Sequence, residues 1–140
     1  LIMACMSMSK QKVGALIVVE RNVGLNDVMN SGDIINADIN QRLIENIFFK
    51  NSPLHDGALI ISHKKLKAAG CILPVSHSSE IPKSLGLRHR AALGISQKSD
   101  CLAIIISEET GAISIAHDGQ FKLRLSPEEL ESAVADCWKK

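Results

Sequence analysis

The order of apolar segments predicts an α/β (α+β) domain with one central mixed sheet of about six to seven strands flanked by helices. Two observations carry that prediction. Val13–Glu20 is a near-continuous apolar run, the signature of a strand covered on both faces. Later apolar runs are joined both by short turns and by helical stripes, so hairpins and helical crossovers occur in one sheet. At 140 residues the chain fits one domain, expected to span 1–140, with enough apolar surface for a single core.

In chain order, residues 1–12 read as the end of a helix and Val13–Glu20 as the first central strand. Residues 21–38 are rich in Asn, Asp and Gly and read as loop with one helical turn. Ile39, Leu43, Ile44, Ile47 and Phe48 recur at helical spacing, and Pro53 ends that segment. Ala58–Ser62 and Leu66–Leu73 form a hairpin through His63-Lys64-Lys65. Pro74 to Ser84 reads as loop, and Leu87–Lys98 as a helix whose buried stripe is Leu87, Ala91 and Ile95, with His89 on the far side. Strands follow at Cys101–Ser107, Ala112–Ala116 and Gln120–Leu125, separated by turns at 108–111 and Asp118-Gly119. Ser126-Pro127-Glu128-Glu129 is a capping box, and Leu130, Ala133, Val134 and Cys137 give the last helix its apolar face.

The composition is that of an ordinary globular protein, with 22% charged and 46% hydrophobic residues. A net charge of +1 argues against a general nucleic-acid-coating surface. Cys5, Cys71, Cys101 and Cys137 are far apart and show no metal-ligand spacing, so they read as small buried hydrophobes. No run reaches the roughly 18 apolar residues of a membrane helix, and no signal peptide is present. The opening Leu1-Ile2-Met3-Ala4-Cys5 suggests that a preceding segment has been removed.

Three segments have chemical potential. Leu54-His55-Asp56-Gly57-Ala58 stands at the mouth of a buried strand, where a short carboxylate on a rigid element can bind a divalent cation or take a proton. Gly57 and Ala58 would let a ligand approach the backbone. Alone, this stretch is better read as an Asp-Gly turn. Gly86-Leu87-Arg88-His89-Arg90 places three potentially cationic side chains at a helix start, opposing the macrodipole unless an anion compensates. Helical geometry spreads them around the axis, so a polyphosphate or a second chain suits them better than one phosphate, and a solvated basic helix end is an equal reading. Ser107-Glu108-Glu109-Thr110-Gly111 is an acidic turn that could bind ribose or help place a metal ion, although a solvated hairpin turn explains it too. The phosphate-loop, dinucleotide, nucleophile-elbow and zinc-helix motifs are all absent.

Taken together and in order, VGALIVVER, NSPLHDGALII, GLRHRAALGIS and SEETGAIS resemble the diadenylate cyclase (DAC) domain family, in particular its membrane-anchored CdaA-type members. The resemblance covers nearly the whole chain. It implies condensation of two ATP molecules into cyclic di-AMP with release of two pyrophosphates, using Mg²⁺ or Mn²⁺, at the face-to-face interface of a homodimer. It further implies that Asp56 activates the ribose 3′-hydroxyl and that Arg88, His89 and Arg90 bind phosphates. Gly57 and Ala58 would lie against the nucleotide, Ile72 and Leu73 would cover adenine, and Ser107, Glu108 and Glu109 would line the phosphate and metal region. Asp56 and His55 are the implied metal contacts. Leu87 stands where the family often has threonine, and the chain lacks the tyrosine that frequently stacks on adenine. The resemblance also implies a cytoplasmic catalytic domain tied to the bacterial plasma membrane by a missing N-terminal region. Two other readings are a non-catalytic adenine-nucleotide sensor on the same fold and an interaction domain whose basic helix start meets an acidic partner.

Overall fold

The computed structural model describes residues 1–76, 78 and 81–138. His77, which the sequence places in a loop, is outside them. The elements are α1 (Ile2–Gln11), β1 (Ala15–Val19), α2 (Asn26–Asn30), β2 (Asp33–Asp38), α3 (Gln41–Ile47), β3 (Ala58–Ser62), β4 (Lys65–Cys71), α4 (Leu87–Lys98), β5 (Leu102–Ile106), β6 (Ile113–His117), β7 (Gln120–Lys122) and α5 (Pro127–Cys137). The strands form one mixed sheet in the order β2-β4-β3-β1-β5-β6-β7.

The longest apolar runs occupy the middle of that order. β1 pairs parallel with β3 and antiparallel with β5, and all three strands are buried along their whole length. Alternate residues divide between two cores. Ile17, Leu59 and Ile104 face α1, α3 and α5 in one layer, where they meet Met8, Phe48 and Leu130. Val18, Ile60 and Ile105 face α2 and α4 in the other, against Met29, Ala92 and Ile95. Helices therefore cover both faces of the sheet.

Local chemistry sets the ends of the elements. Asn40 caps α3 by accepting from the Leu43 N–H at 3.0 Å. Ser126 and Glu129 form the reciprocal capping box of α5. The β3–β4 hairpin turns on His63 and Lys64, both in the left-handed region, and the β6–β7 hairpin turns on Asp118-Gly119 in the same way. Two successive positive φ values match the right-handed twist of the paired strands.

Three expectations are corrected. The segment 21–38 is not all loop: Asp33–Asp38 forms the edge strand β2 against β4. Asp33, Asn36 and Asp38 give it a loop-like composition, most of it faces solvent, and Asn36, at φ 53°, interrupts the register. The last strand ends at Lys122 rather than Leu125, since Arg124 turns left-handed at φ 56°. In α4 the expected Ile95 is buried and Ala91 packs against the core, but His89, Ala92, Leu93 and Ser96 are buried as well, while Leu87 is 76% exposed. The helix rolls this way because Gly94 lies directly on Pro74, where a Cβ would sit 2.1 Å from the Pro74 carbonyl oxygen. That close approach seats His89 inward and turns Leu87 to solvent.

Candidate active site

Parallel pairing of β1 with β3 and antiparallel pairing of each with a neighbour bring four strand ends to one rim of the sheet. β1 and β3 begin there, and β4 and β5 end there, as the pairs Ala15 with Ile106 and Ala58 with Cys71 show. The rim therefore carries Gly14, Asp56, Ile72 and the turn 107–111 side by side, and the first turn of α4 joins them through Arg88.

Asp56 projects from this rim with its side chain 84% exposed. The neighbouring His55 is fixed from behind, its Nδ1 2.8 Å from the Ser52 carbonyl oxygen and its Nε2 3.1 Å from Asp56 Oδ1. A carbonyl only accepts, so Nδ1 donates to Ser52, and Nε2 pairs with the Asp56 carboxylate when it too carries a proton. Arg88 approaches from the other side: Nη2 lies 4.0 Å from Asp56 Oδ1, and Nη1 lies 3.7 Å from Glu108 Oε1. The Arg88 side chain is only 21% exposed, and its buried Nε has no hydrogen-bond partner. Two carboxylates from different strands thus converge on one cation that retains an unused donor.

The remaining basic residues of the helix start point elsewhere. His89 is buried at 8% exposure, edge-on to Phe121 with ring centroids 6.3 Å apart. Burial, and then the Arg88 charge, push its pKa below the usual histidine value. Arg90 reaches back to the 74–84 loop, with Nη1 3.5 Å from the Ser76 carbonyl and 3.4 Å from that of Ser78, while its own carbonyl accepts from the Ser76 N–H. The three side chains diverge, as helical geometry requires, and only Arg88 faces Asp56.

Other residues singled out from the sequence have clear local roles. Gly57 packs against β4: a Cβ on it would lie 2.3 Å from the Gly70 carbonyl carbon, so this packing by itself demands glycine. Ala58 is buried in the core, as is Leu73 at 7% exposure. Ile72 is 74% exposed on the rim, and its N–H donates to Ser31 Oγ. Ser107 Oγ accepts from the Glu109 and Thr110 N–H groups and builds the turn, leaving Glu108 and Glu109 exposed. Sequence reasoning missed Gly14, Gly70, Ser31 and the carbonyl of Ser52. A glycine at a strand start is a signal that could have flagged Gly14.

His55 and Asp56 offer one nitrogen and one carboxylate to a divalent cation, and among the described residues no group of three or more metal-ligating side chains stands together. Of the two, the Asp56 carboxylate is the donor suited to a hard cation such as Mg²⁺ or Mn²⁺, which completes its shell with phosphate oxygens and water, whereas an imidazole is not a usual Mg²⁺ ligand.

The chain is thus a three-layer α/β domain that brings an exposed carboxylate and an arginine together at one rim of its mixed sheet. The chain belongs to the DAC family, described as "DisA bacterial checkpoint controller nucleotide-binding", whose profile matches residues 2–121. It is 45% identical over 133 residues to "Cyclic di-AMP synthase CdaA" of Bacillus subtilis strain 168, covering 95% of this chain and 49% of that protein. It is 47% identical over 127 residues to "Diadenylate cyclase" of Listeria monocytogenes serotype 1/2a, covering 91% of this chain and 46% of that protein. The chain therefore spans about half the length of the curated relatives it matches. The crystal structure of a double mutant of DacA from Staphylococcus aureus superposes with a TM-score of 0.97 at 45% identity, covering 99% of this chain and 93% of that one. A Bacillus cereus chain, described as a hypothetical membrane spanning protein, gives a TM-score of 0.85 at 43% identity, covering 89% of this chain and 61% of that one. Among the described residues no helix is long and apolar enough to cross a membrane.

Proposed function

We propose that this domain is a diadenylate cyclase, condensing two ATP molecules into cyclic di-AMP and two pyrophosphates. The observation that carries the proposal is the exposed Asp56 carboxylate, held on the rim between His55 and Arg88, in a chain with 45–47% identity to proteins named for this activity. In each of two equivalent steps a ribose 3′-oxygen attacks the α-phosphorus of the other ATP. The bond from that phosphorus to the bridging oxygen breaks, and pyrophosphate leaves. Asp56 accepts the hydroxyl proton.

An 84% exposed carboxylate has no wall of its own chain in front of it, which suits a reaction centre closed by a second copy. The proposal therefore includes a homodimer in which Asp56 of one protomer serves the nucleotide of its partner. Arg88 supplies charge to the phosphates through the guanidinium nitrogens Nη1 and Nη2 that face the rim. Ile72 offers an exposed apolar surface to adenine, whereas Leu73 supports it from the core. His89 and Arg90 act on the phosphates indirectly, one seating the helix and the other holding the adjacent loop. A divalent cation held by Asp56 would neutralise phosphate charge and lower the cost of deprotonating the hydroxyl. Membrane attachment would come from a segment outside this chain.

The test is to incubate the chain with ATP and Mn²⁺ or Mg²⁺ and quantify cyclic di-AMP and pyrophosphate, beside Asp56→Asn. The wild type is expected to form both products. The variant should lose at least about 100-fold in rate, with an unchanged melting temperature because the side chain is exposed. Equal product from both proteins would sink the role of Asp56, and ATP binding without pyrophosphate release would assign a non-catalytic sensor instead.

A further inference from the structure

We infer that Gly14 is a positioning residue for Arg88: the side chain it lacks is the space in which the guanidinium lies. The inference rests on the reading of Arg88 as a phosphate contact and extends it to a residue on a different element.

Gly14 is buried in the residue pair that leads into β1. A Cβ built on it would lie 2.7 Å from Arg88 Nη1, 2.9 Å from Arg88 Cζ and 3.1 Å from Glu108 Cβ. The guanidinium is therefore laid against bare backbone. Its φ lies outside the left-handed region, so the backbone conformation would accept any residue and only the space demands glycine. Of the nine glycines, Gly14 is the one whose nearest neighbours are atoms of a charged side chain. At Gly32, Gly57, Gly94 and Gly111 the nearest atoms are backbone, as expected of packing contacts.

The placement has a consequence for Arg88. From this seat Nη2 faces Asp56, Nη1 faces Glu108, and Nε is buried without a partner. A methyl group on Gly14 would fall short of ordinary contact distance with Nη1 by about 0.7 Å, and the flexible arginine end would yield before the sheet does. The guanidinium would move outward, carrying its unused donor off the rim. Displacements of this size near a reacting phosphate cost up to about 100-fold in rate.

The experiment compares Gly14→Ala, Arg88→Lys and the double variant with wild type. Three readouts are taken: melting temperature, steady-state kinetics with ATP, and the Nε–H NMR signal of Arg88 with its solvent exchange. Gly14→Ala is expected to melt with the wild type and to lose about 10- to 100-fold in kcat/KM, the loss of one charge-assisted contact. Its Arg88 Nε–H should exchange faster. Added to Arg88→Lys, whose ammonium makes no use of this seat, Gly14→Ala should cause little further loss. Fully additive losses, or an unchanged Arg88 Nε–H signal in Gly14→Ala, would overturn the inference. A wild type that makes no cyclic dinucleotide would instead defeat the catalytic reading, and the Nε–H signal would still decide whether Gly14 seats Arg88.

Discussion

Substituting Gly57 by alanine separates two accounts of the residue beside Asp56. In the structure its α-carbon lies against Gly70, and an added Cβ would stand 2.3 Å from Gly70 C, 2.4 Å from Gly70 Cα and 2.8 Å from Cys71 N. All three atoms are backbone of β4, which cannot rotate away as a side chain can. Relief requires moving the strands apart by about 1 Å, against a normal spacing of about 4.8 Å. That movement opens the sheet at the Ala58–Cys71 pair. Losing one or two ladder hydrogen bonds at about 1 kcal/mol each, with the strain of overpacking, comes to about 3 kcal/mol. For a domain of this size that lowers Tm by about 10 °C. Thermal unfolding followed by circular dichroism measures it, with Gly24→Ala as control because a Cβ there meets nothing within 4 Å. If Gly57→Ala melts within about 2 °C of wild type and only its KM for ATP rises, the packing account is refuted and Gly57 makes room for ligand after all.

Two further predictions test buried groups. His89 is held below its ordinary pKa by burial and by Arg88, so the folded state prefers it neutral. Its stabilising contribution is then complete above the unfolded value of about 6.5 and is lost as pH falls from there through the folded value. Urea midpoints measured from pH 8 to pH 5 should decline, and His89→Gln should flatten that decline; parallel curves would refute the assignment. The second prediction concerns the thiols. Burial pushes Cys5 up to about 12 and Cys71 and Cys101 up to about 11, and it also raises half-buried Cys137. At pH 8 a disulfide reagent should modify the folded protein slowly, Cys137 first, and all four thiols rapidly in urea. Fast labelling of Cys5 in the folded state would contradict the burial.

Much of the fold was legible because the central strands are apolar on both faces. Leu16–Val19, Leu59–Ile61 and Leu102–Ile106 can be satisfied only in the interior of a sheet, so their runs announce the middle of it. The capping box of α5 and the Asp118-Gly119 turn were equally readable, because their hydrogen bonds and dihedral preferences are local. β2 was not legible. An edge strand that faces solvent needs no apolar pattern, and Asp33–Asp38 becomes a strand only because β4 presents a free row of backbone groups. In α4 helical spacing correctly marks Ala91 and Ile95 but not Leu87, which is exposed because contact at Gly94 sets the roll of the helix.

For the candidate site, the sequence by itself determined the chemical inventory. A carboxylate stands before a strand, basic residues open a helix and an acidic turn follows another strand, each at an element end. Which of these groups meet was decided only by tertiary structure. Strand order brings β1, β3, β4 and β5 to a common rim, and the roll of α4 sends Arg88 to Asp56 and Glu108 while turning His89 inward and Arg90 toward its loop. The reason is physical. Local patterns record what each residue prefers to touch, whereas the distances between elements follow from close backbone approaches, at Gly57 and Gly94, that no single segment contains.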